Sequence, residues 1–295
     1  MIPFDEHPRP FDEVLGSLRM NSSCTQFLAD NYWDVDTLAA GERFAASAEF
    51  GECFDRVANV AWPSVVLDLG AGTGIATYAF LKRGALNVYA LEPDPSPAVG
   101  RGAIARITHG MPCTILASEG ESIPLADGTV DVVYARQVMH HARDLGLMAR
   151  ECARVLRVGG VMLVCREHVA DNEQQKSEFL DQHPLHRITG AENAYALQEY
   201  VDALNSAGLA IREVIGPWDS VINLYPGAKT RADAERLPAE ILARRAGNLG
   251  TLLQRVPGAT SLARLLLRHR RVPGRMYSFV AMKDDEQAVH APGSC

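Results

Sequence analysis

The 295-residue chain carries 29 Lys and Arg against 36 Asp and Glu, a net charge of −7. That balance argues against a protein working by phosphate neutralisation along nucleic acid, although a local basic patch is compatible with an acidic chain. Hydrophobic residues at 47% and charged residues at 22% fit a globular protein, and the length suits one large α/β domain with additions.

No apolar run approaches the roughly 18 residues needed to span a bilayer. The start, Met1 to Glu6, has neither a basic nor an apolar leader region, so the expected compartment is the cytoplasm. The six cysteines (Cys24, Cys53, Cys113, Cys152, Cys165, Cys295) form no C-x-x-C pair and are expected to be reduced and structural.

Residues 1 to 20 hold three prolines and mixed charge, and read as an irregular lead-in. Thr25 to Tyr32 and Thr37 to Val60 carry helical apolar spacing, the second weakened by Gly41 and Gly51 and so divisible into two helices. Tyr32 and Trp33 stand between them, placed either to cover a ligand pocket or to anchor the helices to the core.

From Val65 strand-like and helix-like segments alternate with short connections, which predicts a parallel sheet covered on both faces. Strands are expected at 65–69, 87–92, 113–117, 130–135, 161–166, 209–215 and 276–282. Helices are expected near 75–83, 98–107, 145–156, 173–181, 194–207, 232–246 and 261–271. Arg157-Val158-Gly159-Gly160 reads as a helix stop, and Asn193 as an N-cap. In the last of these helices Leu265, Leu266 and Leu267 stand among Arg264, Arg268, Arg270 and Arg271, a pattern able to bind a membrane or an anionic substrate, with the leucines expected on the core and the arginines in water.

The apolar run Val65 to Leu69 breaks into Gly70, Gly72 and Gly74, and a helix-compatible stretch starts at Ile75. A strand, a glycine turn and a helix start make a place where a nucleotide-like ligand can lie against backbone. The spacing is not the G-x-G-x-x-G of a pyrophosphate site. Asp68 precedes the turn. Glu92 ends the second strand, where a carboxylate can accept from both hydroxyls of a ribose, and Glu119-Gly120 follows the third, where one can take an exocyclic amine.

With Leu67 to Gly74, Leu91-Glu92-Pro93-Asp94, Glu121 to Leu125 with Asp127, Asp131 to Tyr134, Val138-Met139-His140-His141 and Glu151 to Gly160, the chain resembles the class I S-adenosylmethionine-dependent methyltransferases. The likeness is nearest to the small-molecule branch typified by quinone-biosynthesis C-methyltransferases. It implies a Rossmann-like, seven-stranded, mostly parallel sheet with an antiparallel last strand. Residues 61–215 and 273–283 would form the cofactor-binding core, 1–60 a lead-in and helical lid, 216–272 a helical insert serving as cap, substrate surface or dimer surface, and 284–295 a disordered tail.

The resemblance also implies roles. Gly70, Gly72 and Gly74 would let the methionine and ribose parts approach, Asp68 would help hold the ammonium, and Glu92 would take the ribose hydroxyls. Pro93 would pack near the adenine, Glu119 with Gly120 would meet its amine, and Arg136 would open the loop at the methionine end. Glu119 departs from the family, which usually has Asp there. S-adenosyl-L-homocysteine would be the product.

Methyl transfer from a sulfonium is an in-line displacement governed by alignment, and an alcohol acceptor also needs a general base. The candidates are His140, His141 and His168, with Tyr32, Trp33, Glu167, His186 and Tyr195 as substrate-facing residues. The His140-His141 pair is frequent in the family whatever the substrate, which favours a structural role. No metal is expected, because His183 and His186 are poorly spaced across Pro184 and lack a third ligand. The expected function is methyl transfer to a small organic acceptor, with oxygen favoured over carbon or nitrogen. The alternatives are a methyltransferase of nucleic acid or protein, or a non-catalytic cofactor-binding scaffold. A homodimer is compatible with the long insert.

Overall fold

The computed structural model describes residues 10–183, 185–190, 192–246, 258–268 and 270–284. Seven strands, β1 (Val65–Leu69), β2 (Asn87–Leu91), β3 (Cys113–Leu116), β4 (Val130–Arg136), β5 (Leu156–Val169), β6 (Leu209–Ile215) and β7 (Arg275–Lys283), form one sheet. Their order is β3-β2-β1-β4-β5-β7-β6, with β7 antiparallel to both its neighbours and the remaining pairs parallel. This is the Rossmann-like arrangement expected from the sequence. The order reverses between β1 and β4, so their C-terminal ends open a crevice, the usual ligand site in such sheets.

Strand alternation explains the layers. Val66, Val132 and Tyr134 share one core with Phe44 of α3 (Thr37–Ala45), Phe50 and Phe54 of α4 (Ala48–Ala58) and Phe80 of α5 (Ile75–Lys82). Leu67, Leu69 and Val133 share the opposite core with Met148 and Cys152 of α7 (Leu145–Val155) and with Tyr200 and Leu204 of α10 (Leu197–Ser206). Between these lie α6 (Arg101–Ile107), α8 (Glu173–Gln182) and the single turn α9 (His186–Thr189).

The N-terminal region is more ordered than its prolines suggest. Phe11–Met20 is a helix, α1, because Pro10 occupies the N-cap and Val14, Leu15 and Leu18 share one buried stripe. That stripe packs with Leu28 of α2 (Thr25–Asp30) and with Val99. The division between α3 and α4 falls not at a glycine but at Ser47, whose hydroxyl caps Phe50 N–H.

Three other expectations are corrected. Gly159 and Gly160 do not end a helix in a loop; α7 passes directly into β5, and the glycines lie in an irregularity where Val130 and Val132 pair with Leu156 and Val161. Helix α10 is capped at Ala196 rather than Asn193, with the Glu199 carboxylate accepting from Ala196 N–H. In α13 (Ala259–Arg268), Leu267 is buried but Leu262, Leu265 and Leu266 are about half exposed, so most of its leucines do not face the core. The insert also holds α11 (Val221–Leu224), unforeseen in the sequence, and α12 (Arg231–Ala246). Apart from Asp284 the expected tail, and with it Cys295, lies outside the described residues, as do residues 1–9 of the lead-in. No described helix is long and apolar enough to cross a membrane.

Candidate functional site

The glycine turn starts where β1 ends. Gly70, Gly72 and Gly74 all have positive φ, of 61°, 54° and 83°. A Cβ on Gly70 would stand 2.2 Å from Val138 Cγ2, so the turn can lie against the loop after β4 only with glycine there. A Cβ on Gly72 would meet nothing nearer than 4.0 Å and would project into a cavity of about 480 Å³ that Gly72 lines. Gly74 packs against Ile104 of α6 instead and is not among the lining residues.

Two carboxylates frame this turn. Asp68 is buried at the end of β1 and accepts from Thr77 Oγ1 of α5 at 2.6 Å. Burial pushes its carboxyl from the ordinary 3.8 up to about 7. Glu92 accepts from Gly72 N–H at 2.8 Å through Oε2 and from Asp94 N–H at 2.9 Å through Oε1. It is thereby fixed in the cavity wall beside Pro93, with further lone pairs to offer a ligand.

Arg136 ends β4 and also lines the cavity, but its Nε lies 2.7 Å from Glu49 Oε1 on α4. Its guanidinium faces the rings of Tyr32 and Phe44 at 5.7 and 5.5 Å. Tyr32 is buried and stacked on Tyr225, so it anchors the N-terminal helices, whereas its neighbour Trp33 lines the cavity with Phe11 and Asn31.

The other wall is a cluster of histidines and carboxylates. A 3-10 turn at Met139–His141 follows β4, and the buried Glu167 carboxylate accepts from the N–H groups of Val138, Met139 and His140. Glu167 also lies 2.6 Å from His140 Nδ1, while His140 Nε2 lies 3.4 Å from Glu192 Oε2. Burial alone would depress the His140 imidazole; the two carboxylates overcome it and raise it to about 9. Burial works upward on Glu192, and His140 outweighs it, bringing that carboxyl down to about 2.

His168 behaves in the opposite sense. Its Nδ1 lies 3.0 Å from Gly274 O, and since a carbonyl only accepts, Nδ1 carries the proton. Burial, with the charge of His140 added, pushes His168 down to about 3, so its ring is neutral. Its centroid lies 5.0 Å from that of His140 and 5.4 Å from that of His183.

A bulge in β5 aims these groups. Val164 pairs with Phe279 and Glu167 with Tyr277, so Cys165 and Arg166 together oppose Ser278. Arg166 has φ 62°, and its N–H is held by Ser278 Oγ at 2.9 Å. The extra residue bends the strand and re-sets the side chains after it.

The structure therefore brings Asp68, Gly70, Gly72, Glu92, Pro93, Arg136, Trp33, His140, His141 and His168 to one cavity. Seven other candidates stand apart, the first being Gly74, packed on α6. Glu167 is sealed behind His140. Glu119 is half exposed and paired with Arg143 at 3.0 Å. Gly120 packs on Met148. Tyr32 is buried on the anchor side. Tyr195 donates to Ala142 O at 2.7 Å, and His186 Nδ1 lies 3.2 Å from Glu192 O. The lining residues Gln137, His183 and Glu192 were not singled out as site residues by their sequence. Gln137 has φ 55°, which no local motif announces, and Glu192 reaches the site only through the fold of the 168–194 segment.

One match to known proteins accounts for the glycine turn, its flanking carboxylates and β4. Residues 67–164 match the methyltransferase domain family. An uncharacterized methyltransferase of Mycobacterium tuberculosis is 41% identical over 96 residues, 32% of this chain and 36% of that protein. Another, of Mycolicibacterium gilvum, is 33% identical over 99 residues, 34% of this chain and 37% of that protein. The likeness thus spans little more than a third of these relatives.

Among solved structures, a chain of the complex between the Haloferax volcanii Trm112 methyltransferase activator and a methyltransferase superposes with TM-score 0.54 at 16% identity, covering 95% of this chain and all of that one. A geranyl diphosphate methyltransferase in complex with S-adenosylmethionine gives TM-score 0.54 at 18% identity, covering 88% and 95%. The [4+2]-cyclase SpnF gives 0.50 at 18%, covering 79% and 80%. At such identities the likeness establishes the fold, and SpnF shows that the fold alone does not fix the reaction.

Proposed function

We propose that the protein is an S-adenosylmethionine-dependent methyltransferase acting on a small organic acceptor, with transfer to oxygen. The observation that carries this reading is one cavity lined both by the glycine turn with Glu92 and by the histidine–carboxylate wall. The match over residues 67–164 supports the donor; the histidine wall supports an oxygen acceptor.

The residues present fit the cofactor. Gly72 leaves open the space that a Cβ would fill, and Glu92 is held with lone pairs toward the cavity where ribose hydroxyls would donate. Asp68 supplies negative charge near the turn for an ammonium, and Pro93 offers an apolar surface beside Glu92. When bound, S-adenosylmethionine supplies an electrophilic methyl: the new O–C bond forms as the C–S bond breaks, the electron pair stays on sulfur and the hydroxyl proton passes to a base.

The chain's own work is alignment and proton acceptance. His140 is held charged by two carboxylates and positions neighbouring groups rather than taking a proton. His168, neutral with Nδ1–H bound to Gly274 O, has Nε2 as the nitrogen able to accept from an acceptor hydroxyl. Phe11 of α1 and Asn31 and Trp33 of the turn after α2 belong to the N-terminal region, which acts as a cap excluding water. None of the described insert residues lines the cavity; Tyr225 stacking on Tyr32 makes the insert an outer support for that cap.

The test is incubation with methyl-labelled cofactor and a panel of small phenols, alcohols and acids, reading S-adenosylhomocysteine formation and the labelled product. Label on oxygen is expected. Label confined to protein or nucleic acid, or no S-adenosylhomocysteine with any acceptor, would sink the reading. In the same assay Glu92→Ala is expected to weaken S-adenosylhomocysteine binding about tenfold or more, the scale of a charge-assisted hydrogen bond lost.

A further inference from the structure

The histidine wall has a property that hydrogen bonding to an acceptor does not require. One ligand atom from each of His140, His168 and Glu192 lies within 4.8 Å of the others. We propose that His140 Nε2, His168 Nε2 and the Glu192 carboxylate bind a divalent transition-metal ion of the zinc class, with its remaining positions open to the cavity.

Three features carry this. First, each ring already has its other nitrogen engaged in the manner of a metal-ligating histidine. His140 Nδ1 lies 2.6 Å from the Glu167 carboxylate and His168 Nδ1 lies 3.0 Å from Gly274 O. A carboxylate or carbonyl at that place fixes tautomer and orientation and leaves Nε2 for the ion. Second, the spacing is near that required. Ligand bonds of about 2.1 Å in a tetrahedral site put neighbouring ligand atoms roughly 3.4 Å apart. His140 Nε2 and Glu192 Oε2 are already 3.4 Å apart, and the other two edges are within 4.8 Å.

Third, the charges balance. The buried Glu167 and the partly buried Glu192 bring two negative charges to this wall, which a divalent ion with neutral rings neutralises. Two imidazoles and one carboxylate are a borderline donor set, suited to zinc, cobalt or iron and poorly suited to magnesium or calcium. His183 packs 5.4 Å from the His168 ring and lines the same cavity.

A hydroxyl entering the cavity would then meet the ion as a ligand, in place of a direct hydrogen bond to His168. This use of the ion rests on the proposed methyl transfer; ion binding does not. Bound to the ion, an acceptor oxygen is more acidic and is held in one place. Acceptors with two neighbouring oxygens would be favoured, because both can coordinate.

The experiment is titration of the chelator-stripped full-length protein with Co²⁺ as the probe, followed by displacement with Zn²⁺. The expected result is one equivalent per chain with visible d–d absorption of a low-coordinate nitrogen–oxygen site, no competition from Mg²⁺, and loss of that signal in His168→Ala and in Glu192→Gln. Glu167→Gln should weaken binding about 10–100-fold, as loss of an outer partner does. Should the ligand variants fold poorly, ¹⁵N-histidine spectra of the wild type with Zn²⁺ serve instead: two rings should move at Nε2 while keeping Nδ1–H. No Co²⁺ uptake by the wild type, uptake unchanged in both ligand variants, or unmoved histidine Nε2 signals would overturn the site. S-adenosylhomocysteine binding measured alongside separates the two proposals, since it tests the glycine turn whether or not the ion binds.

Discussion

Asp68 shows how one residue can serve two states of the protein. Its carboxyl is raised from 3.8 to about 7, chiefly by burial. Between those values the folded chain holds more protons than the unfolded one, so this group's stabilisation is largest below pH 4 and is lost as pH rises to about 7. The stability difference between wild type and Asp68→Asn, from denaturant midpoints, should therefore shift against the wild type from pH 5 to 7 and level off above. A ligand bringing an ammonium to the turn reverses the preference. S-adenosylhomocysteine affinity should rise through pH 7 in the wild type and stay flat in Asp68→Asn.

At this scale the sequence revealed one half of the site and not the other. The glycines, Asp68 and Glu92 lie at the end of a strand whose apolar run is unmistakable, so position in the chain fixes position in space. His140 and His168 were visible as residues, but their chemistry was not. Opposite protonation of two rings 5.0 Å apart follows from Glu167, Glu192 and Gly274, which come from distant parts of the chain. Glu119 illustrates the converse: its place after β3 was right in chain order, yet its side chain turns outward to Arg143.

Among the elements, the decisive one is β5. Its first half is the buried strand that Val161 to Cys165 announce, and its second half is re-aimed by the bulge at Arg166. Periodicity reads which residues are apolar, and a bulge has no periodicity, so the extension of β5 to Val169 was not legible. Ser278 holds the bulge from β7, accepting from Arg166 N–H and donating to Asn223 Oδ1 at 2.7 Å. Ser278→Ala leaves a buried N–H without that partner, at a cost of about 1–3 kcal/mol. It should also weaken ligand binding at the histidine wall, because Glu167 and His168 follow directly. A thermal melt and a Co²⁺ titration of the same variant check both parts; a destabilised variant with unchanged Co²⁺ affinity would detach the bulge from the site.

Across the whole molecule, two regions of different character meet at the cavity. The sheet supplies the turn and the histidine wall from two extensive cores, while Phe11 of α1 and Asn31 and Trp33 of the turn after α2 belong to a region joined by the smaller cluster around Leu15, Leu18, Leu28 and Val99. Fewer buried contacts mean easier local opening. Amide exchange in α1 and α2 should be much faster than in β1 and β4, and saturation with S-adenosylhomocysteine should slow it. Trp33 emission should change on the same titration and should not in Trp33→Phe. Equal protection of α1 with and without ligand would remove these helices from the cap. The parallel sheet covered on both faces was legible because strands and helices alternate; the order of α1 was not, because its stripe is buried by neighbours brought in from α2 and Val99.

The place of β7 between β5 and β6 has a consequence for how the protein is made. On a ribosome, β1 to β5 emerge and pair while the outer edge of β5 still lacks its neighbour. That neighbour arrives only much later, and the Gly274 carbonyl that orients His168 lies 106 residues beyond it in the chain. The glycine turn can thus assemble on the nascent chain, and the histidine wall is completed only when β7 follows. A chain released before residue 274 would keep the glycine turn and lack the carbonyl that orients His168.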